Sequence, residues 1–242
     1  MKILIISDIH ANLTALEAVL SDAGKVEAVW CLGDLVGYGP DPNECIERVA
    51  SLPDLTCVIG NHDAATLGQI EIESFNPEAR AAILWTQNQL TPANKACLEK
   101  IPEIYTQELF TLVHGSPRQP VWEYLLDTRT ATINFSHFDT PYCLVGHTHL
   151  PMMYYLSEDL LSARLSIPED TTQFALAPRA ILNPGSVGQP RDRDPRAAYA
   201  ILDIAENTWE WRRAVYDIKA VQERMYKAKL PERHIHRLSA GW

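Results

Sequence analysis

Five short apolar runs in this chain each end at a residue that can bind a metal ion. The runs cover residues 2–7, 29–33, 56–60, 109–113 and 142–146. A short apolar and often β-branched run that is closed by a polar residue is typical of a strand buried on both faces. Ligands of α/β sheets lie beyond the carboxyl ends of the strands, so we expect these five ends to converge on one site.

Helix-start signals follow several of these strands. The signals combine an N-cap residue with helical spacing or with a proline, and they are Asn12, Asp41-Pro42, Asn76-Pro77 and Thr91-Pro92. Thr14 and Glu17 form a candidate capping box within the first of these helices. The pattern predicts helices that lie over the sheet beside the site.

The second half of the chain has a different pattern. Strand-like segments joined by turns cover residues 152–156, 174–176, 180–182, 198–202 and 208–215. Consecutive strands favour antiparallel pairing, so we expect a second sheet that packs on the first. Residues 218–229 predict one closing helix, whereas residues 231–242 have no clear period. We therefore expect a single domain over residues 1–242, with residues 218–242 as a C-terminal helical extension.

Composition narrows the class of protein. The 242 residues are 46% apolar, and the first apolar run is broken by Asp8 and His10, too early for a signal-peptide core or a membrane span. The five cysteines include no C-x-x-C pair. We interpret them as reduced thiols, which fits the cytoplasm. The net charge of −10 disfavours a nucleic-acid partner, and an anionic substrate would then be held by metal cations.

The strand ends offer nitrogen and oxygen ligands without thiolates. The candidates are Asp8, His10, Asp34, Asn61, His62, His114, His147 and His149. Such a set suits Mn, Fe, Zn, Co or Ni better than Ca or Mg, and it is large enough for two ions if Asp34 bridges them. Two ions about 3.5–4 Å apart can lower the pKa of a bound water to about 7 and clamp phosphoryl oxygens. The expected reaction is hydrolysis of a phosphate ester.

The order of the motifs identifies a family. The blocks are Asp8-x-His10, Gly33-Asp34, Gly60-Asn61-His62-Asp63, a lone His114 and Gly146-His147-Thr148-His149. With these blocks the chain resembles the calcineurin-like metallophosphoesterase superfamily. The stretches Gly37-Tyr38-Gly39-Pro40 and Asn183-Pro184-Gly185-Ser186 resemble its small prokaryotic phosphodiesterase-type branch. The resemblance implies an α/β fold in which two mixed β-sheets pack as a sandwich flanked by helices.

The same resemblance implies roles for the site residues. One metal ion would be held by Asp8, His10, Asp34 and His149, and the other by Asp34, Asn61, His114 and His147. Both ions are divalent transition metals, with Mn preferred and Fe, Zn, Co or Ni as alternatives. His62 would contact the scissile phosphate and protonate the leaving oxygen. The implied protein is a dinuclear phosphoesterase that hydrolyses phosphate mono- or diesters through a metal-bridging hydroxide.

One departure from related branches bears on the substrate. Protein Ser/Thr phosphatases and symmetrical dinucleoside tetraphosphate hydrolases carry Asp or Asn followed by Arg where this chain has Gly37-Tyr38. Dinucleoside polyphosphate hydrolysis and protein dephosphorylation are therefore disfavoured alternatives. A non-catalytic scaffold of the same fold is a further alternative, against which the intact ligand set argues.

A replacement cation is available in the segment 188–196. Arg191 is the best candidate for a phosphate contact, although Arg191, Arg193 and Arg196 alternate with aspartates as in a self-paired surface loop. Tyr38 is a candidate substrate contact: Tyr38 and Tyr124 either stack on a nucleobase or serve in packing. The expected substrate is a small phosphate ester or nucleotide, with the oligomeric state left open.

The remaining histidines match none of the motifs. They are His137, His234 and His236. The pair His234-x-His236 has no carboxylate beside it, so we predict that both rings lie on the surface.

Overall fold

The structure is a computed structural model that describes residues 1–157, 161–169 and 171–242. Its strands are β1 (Lys2–Ile6), β2 (Ala28–Cys31), β3 (Leu55–Cys57), β4 (Ile104–Gln107), β5 (Phe110–Val113), β6 (Tyr142–Leu144), β7 (Met152–Leu156), β8 (Ala163–Ser166), β9 (Gln173–Ala175), β10 (Ala180–Asn183), β11 (Ala197–Asp203) and β12 (Thr208–Ala214). Its helices are α1 (Leu13–Ala23), α2 (Pro42–Ala50), α3 (Asn61–Thr66), α4 (Pro77–Gln89), α5 (Pro92–Leu98), α6 (Thr128–Asn134), α7 (Ile218–Lys227) and α8 (Glu232–Ala240), with a 3-10 turn at Ile72–Ser74.

Within the described residues the strands form two mixed sheets of six strands each. The first sheet has the order β3-β2-β1-β11-β12-β9, and the second has the order β4-β5-β6-β10-β7-β8. In the first sheet β1, β2 and β3 run parallel, while β11 lies antiparallel to β1. In the second sheet β5, β6 and β10 run parallel. The predicted sandwich of two mixed sheets is confirmed.

Alternation along β1 shows how the layers are held. Ile3 and Ile5 point into the core between the two sheets, where they join large aromatic side chains such as Trp209. Leu4 and Ile6 point to the opposite face, into the core beneath the helices. Both faces of this strand are buried, which explains its continuous apolar sequence.

The sequence pattern was wrong about how strands are shared between the sheets. We expected the later strands to build a sheet of their own, but β9, β11 and β12 join the sheet of β1, whereas β7, β8 and β10 join the sheet of β5. The reason is that β11 pairs antiparallel with β1 in the register Ile3↔Leu202, on the side of β1 opposite β2, so that later strands extend the first sheet. The five strand ends that carry candidate ligands come from both sheets.

Most helix starts follow the predicted caps. The side chain of Asn12 accepts a hydrogen bond from Ala15 N at 3.1 Å, so Asn12 caps α1 and the expected Thr14–Glu17 capping box is wrong. The hydroxyl of Thr14 instead accepts a hydrogen bond from Arg224 Nη2 at 2.8 Å. In the part of the chain that the structure describes, the helices are too short or too polar to cross a membrane.

The C-terminal segment contains two helices where one was predicted. Helix α8 begins after Pro231, and its buried face carries His234, Ile235 and Leu238. Ile235 and Leu238 pack in the same core as Leu4 of β1. His234 is 1% exposed, so the prediction of a surface position for it is wrong, while His236 is exposed as expected. The tail is thus part of the core that supports the site.

Candidate metal centre

The first group of candidate ligands lies beyond β1 and β6. His10 Nε2 is 3.1 Å from His149 Nε2, and Asp8 Oδ1 is 3.3 Å from the same nitrogen of His149. Asp34 Oδ2, at the end of β2, is 3.6 Å from His10 Nε2. These four side chains are buried, and their free ligand atoms face one another. Asp8, His10, Asp34 and His149 could therefore hold one metal ion.

The second group shares Asp34 with the first. His114 Nε2, after β5, lies 3.4 Å from Asp34 Oδ2 and 3.1 Å from Asn61 Oδ1. His147 Nδ1 lies 3.2 Å from His114 Nε2. Asp34, Asn61, His114 and His147 could hold a second ion, with Oδ2 of Asp34 facing both groups.

Backbone carbonyls fix the orientation of each histidine ring. The contacts are His10 Nδ1 with Val36 O at 3.1 Å, His149 Nδ1 with Gln189 O at 2.5 Å, His114 Nδ1 with Leu32 O at 2.7 Å and His147 Nε2 with Trp122 O at 3.1 Å. A carbonyl accepts only from a protonated nitrogen, so in a neutral ring the other nitrogen presents a lone pair. When neutral, each ring therefore presents its lone pair to the centre, as metal-ligating histidines do. Burial lowers the pKa of His114, but Asp34 outweighs burial and raises it to about 9, so this ring would release a proton when it binds a metal ion.

The two carboxylates agree with a site for cations. Asp8 Oδ1 and Asp34 Oδ2 are buried and accept no hydrogen bond from the described residues. Burial raises the pKa of Asp34, but the charge of His114, with a smaller contribution from His62 when that ring is protonated, outweighs burial and holds the pKa well below its usual range. Burial raises the pKa of Asp8 to about 6. Buried oxygens without donors, beside converging nitrogen lone pairs, are chemically suited to divalent cations.

Several candidate ligands have a left-handed backbone. Their φ angles are 53° at Asp8, 49° at His10, 55° at Asp34, 63° at His147 and 60° at His149. Such a conformation costs a non-glycine residue about 1–3 kcal/mol, although Asp and His tolerate it better than most. The turns at the strand ends are therefore held in place by their surroundings, which aims these side chains at the centre.

Close packing of neighbouring atoms explains why two of the motif positions are glycine. Gly33 has a φ of 90°, and a Cβ there would lie 2.6 Å from Gly60 N. A Cβ at Gly60 would collide with the carboxylate of Asp34. Asp63 holds the same loops, because it accepts hydrogen bonds from Gly60 N at 3.1 Å and Val36 N at 3.0 Å. Burial and the charge of Asp34 raise the pKa of Asp63 to about 7.

His62 lies beside the centre with a free ring nitrogen. Its ring is packed edge-on against His10 at a centroid distance of 5.0 Å, and Phe75 supports it at 5.1 Å. Nδ1 of His62 is buried and has no hydrogen-bond partner within the described ranges. Burial lowers the pKa of His62 to about 4. A ring nitrogen of His62 also lies within 4.8 Å of ligand atoms of His10 and Asp34, so its geometry suits either proton transfer or ligation.

The arginines of segment 188–196, here called the arginine loop, lie in two different settings. Arg196 pairs with Asp194, Nη2 to Oδ2 at 2.6 Å, as a self-paired loop would. Arg191 turns the other way: its guanidinium carbon lies 5.9 Å from the centre of the Tyr38 ring, and its charge lowers the pKa of His62 and Asp8. Arg191 therefore lies at the site, whereas Arg196 does not.

Two tyrosines lie at the site in different settings. Tyr38 is 6% exposed, and its ring lies 4.5 Å from that of His10 and 4.3 Å from those of His62 and His234. Its ring is thus a packing element, and a substrate contact by Tyr38 stays a prediction. Tyr124 is 45% exposed and stacks on His147 at 3.7 Å. Tyr124 therefore has a ring surface open to a ligand.

Sequence reasoning missed the residues that support the ligands. Ser7 Oγ donates to Asp8 Oδ2 at 2.7 Å, and Ser186 Oγ donates to the carbonyl of Asp8 at 2.8 Å. Asn183 Nδ2 donates to Gly146 O at 2.7 Å. The Asn183-Pro184-Gly185-Ser186 turn at the end of β10 was the available signal, since a polar turn there faces the same edge of the sheet.

Comparisons with known proteins show the family of this chain. The family model of the calcineurin-like phosphoesterase superfamily domain matches residues 1–207. The protein MJ0912 of Methanocaldococcus jannaschii is 38% identical over 248 residues, which cover 99% of this chain and 98% of that protein. The crystal structure of a metallophosphoesterase from Sphaerobacter thermophilus matches with a TM-score of 0.92 at 48% identity, over 100% of this chain and 99% of that one.

A more distant structure shares the fold alone. The protein PH1004 from Pyrococcus horikoshii matches with a TM-score of 0.81 at 21% identity, over 100% of this chain and 98% of that one. The chain belongs to the calcineurin-like phosphoesterase superfamily. Membership supports metal-dependent hydrolysis of phosphoesters as its general activity.

Proposed function

We propose that this protein is a dinuclear metal-dependent phosphoesterase that hydrolyses phosphate mono- or diesters. The observation that carries the proposal is the orientation of the four histidine rings by Val36, Leu32, Trp122 and Gln189. Nitrogen lone pairs held 3.1 Å apart, as in His10 and His149, repel each other unless a proton or a cation lies between them. Two cations satisfy both histidine pairs and both free carboxylate oxygens.

The ligand assignment follows from the two groups. Asp8, His10, Asp34 and His149 would hold one ion, Asp34, Asn61, His114 and His147 would hold the other, and Asp34 would be shared between them. The mixed nitrogen and oxygen set suits Mn, with Fe, Zn, Co and Ni as alternatives. When bound, two such ions activate a water for attack and neutralise the charge that develops on the phosphate.

His62 supplies the proton in this proposal. Its pKa of about 4 keeps the ring neutral at pH 7 when the site holds no anion. A bound phosphate dianion favours the charged ring, because an opposite charge within about 4–6 Å raises the pKa of a histidine. His62 would then acquire its proton together with the substrate and pass it to the leaving oxygen.

Arg191 and Tyr124 provide the contacts with the rest of the substrate. The guanidinium of Arg191 can donate paired hydrogen bonds to phosphate oxygens. The exposed ring of Tyr124 can stack on an aromatic group, which supports a small phosphate ester or a nucleotide as substrate. Free cysteines at the described positions support a reducing, cytoplasmic setting.

The alternative branches are disfavoured by one contact. A Cβ at Gly37, where protein Ser/Thr phosphatases and dinucleoside tetraphosphate hydrolases carry Asp or Asn, would lie 2.6 Å from His62 Nδ1. Gly37 also has a φ of 90°, which is strained for any side chain. With His62 in its present position, this chain has no room for a side chain at residue 37, which distinguishes it from those branches.

A substrate panel tests the proposal. Metal-stripped protein is reloaded with Mn²⁺ and assayed on a nitrophenyl phosphodiester, a nitrophenyl monoester, a dinucleoside polyphosphate and a phosphopeptide. We expect metal-dependent turnover of the nitrophenyl esters and little turnover of the last two. Protein that binds two ions but hydrolyses none of the four would support the scaffold alternative instead.

A further inference from the structure

Helix α8 places a second arginine beside the candidate site. Arg237 lies one turn after His234, whose ring contacts Tyr38 at a centroid distance of 4.3 Å. The end of the helix is fixed to the arginine loop, because Arg193 N donates to Gly241 O at 2.6 Å. The loop that carries Arg191 is thus joined to the end of the helix that carries Arg237.

The acidic side chains near the two arginines have other partners. Asp192 pairs with Arg213, and Asp194 pairs with Arg196 at 2.6 Å. Glu78 Oε1 lies 3.9 Å from Arg233 Nη1. Within the described residues, the ion pairs involve neither Arg191 nor Arg237. No carboxylate among the described residues therefore neutralises either guanidinium group.

Buried donors of the arginine loop and of α8 also lack acceptors. Among the described residues, no hydrogen-bond partner contacts Arg191 Nε, Arg237 Nε or Gln189 Nε2, and the side chain of Gln189 is 1% exposed. Buried N–H groups without acceptors are costly, so they indicate a place where an anion is expected to bind. The charges of Arg191 and Arg233, after burial, lower the pKa of Arg237, which shows that like charges accumulate here.

We infer that Arg237, with Arg191 and Gln189, forms a second anion subsite beside the metal centre, selective for phosphoesters that carry an additional phosphate group. The inference rests on the proposed phosphoesterase function and deepens it. A lone phosphate is satisfied by the metal ions, His62 and Arg191. A second phosphate would accept hydrogen bonds from Arg237 and Gln189 and offset the repulsion between the arginines.

Two chromogenic substrates test the subsite. They are the 5′-(p-nitrophenyl phosphate) ester of thymidine and the same ester with a 3′-phosphate, which share nucleoside and leaving group. The quantity measured is the ratio of their kcat/KM values with the Mn²⁺-loaded protein. We expect the bisphosphate to be favoured by about tenfold or more, and Arg237→Ala to bring the ratio close to one. Arg237→Lys should retain part of the preference, because it keeps the charge but not the planar fork.

Arg233→Ala is the matched control, since it removes an exposed arginine from the same helix. It should leave the ratio unchanged. A wild-type ratio near one, or a ratio that Arg237→Ala does not alter, overturns the subsite. Circular dichroism and the thermal midpoint of each variant check that α8 remains folded.

Failure of the proposed function can be told apart from failure of the subsite. If the protein hydrolyses neither ester, calorimetry compares thymidine 3′,5′-bisphosphate with thymidine 5′-monophosphate on the Mn²⁺-loaded protein. Tighter binding of the bisphosphate that is lost in Arg237→Ala upholds the subsite without the phosphoesterase activity. Equal binding of the two nucleotides rejects the subsite.

Discussion

The backbone N–H of His62 donates a hydrogen bond of 2.8 Å to Oδ1 of Asp34. The contact leaves Oδ2 of Asp34 free to face both ligand groups. One carboxylate thus positions the proposed proton donor and links the two proposed metal sites.

Because Asp34 faces both ligand groups, we expect its substitution to weaken metal binding more than that of any other candidate ligand. Wild-type protein should bind two Mn²⁺ ions per chain, measured by plasma mass spectrometry and calorimetric titration of metal-stripped protein. Asp34→Asn should weaken both binding steps by about 100-fold or more, because a neutral amide cannot bridge two cations. Asp8→Asn should weaken mainly one step. The exposed Asp139 offers a matched control in Asp139→Asn. A wild-type content of one ion or fewer would contradict the assignment.

A variant at His62 separates proton transfer from metal binding. His62→Asn should lower turnover by roughly 10² to 10⁴, the usual contribution of a positioned proton donor, while metal content stays near wild type. The loss should shrink for a nitrophenyl ester, whose leaving group needs no proton.

The metal content of the same variant decides between the two geometric roles of His62. Loss of an ion would make His62 a ligand and exclude the role proposed for it. His236→Asn, on the exposed face of α8, serves as the control for the same chemical change.

The arginine loop predicts unequal effects of its members. Arg191→Ala should lower kcat/KM, with a loss of transition-state stabilisation of about 1.5–3 kcal/mol, the range for a hydrogen bond to a charged group. Its metal content should be unchanged. Arg196→Ala should have much less effect, because Arg196 pairs with Asp194 away from the centre. Arg193→Ala should also have a small effect. Parent-like kinetics in all three variants would leave phosphate binding to the metals, His62 and backbone amides.

Burial of His234 predicts a dependence of stability on pH. Burial lowers the pKa of His234 to about 3, whereas its ordinary value is 6.5. Below pH 6.5 the unfolded chain binds a proton that the folded chain excludes, so the free energy of unfolding falls as the pH falls from about 6.5 to 3. At pH 5 the loss should be about 2 kcal/mol, from 1.36 kcal/mol for each pH unit.

Urea denaturation at pH 7.5 and pH 5.0, with chelator throughout, measures this loss. Between the two pH values, the free energy of unfolding of His234→Leu should fall by about 2 kcal/mol less than that of wild type. His236→Leu should behave as wild type, because that ring is exposed. An equal pH dependence in wild type and His234→Leu would exclude His234 as the source.

The candidate ligands could be found from the sequence because each one follows a strand. Asp8 and His147 lie beyond β1 and β6, and the apolar runs that define those strands are continuous since both faces are buried. A polar residue directly after such a buried run indicates a functional site, because packing alone seldom favours a polar side chain there. The convergence of the strand ends followed from parallel strands alone, whichever sheet contained them.

Other features had no local signal. Strand β4 is exposed along its whole length, so it lacks the alternation that marks a strand with one buried face. The pairing of β11 with β1 joins segments far apart in the chain, and no local pattern encodes it. Residues 231–242 mix charged, polar and apolar side chains. For that reason the sequence did not predict the buried positions of His234 and Leu238.

The hydrogen bond from His114 to the carbonyl of Leu32 connects the two halves of the sandwich. His114 follows β5 in one sheet, and Leu32 follows β2 in the other, yet the two atoms are 2.7 Å apart. The distances between candidate ligands within each group therefore depend on how the sheets pack on each other. A substitution deep in that interface, such as Trp30→Ala next to Phe110, would shift the ligands without touching any of them. The geometry of the candidate metal centre therefore depends on the packing of the core as well as on the ligands themselves.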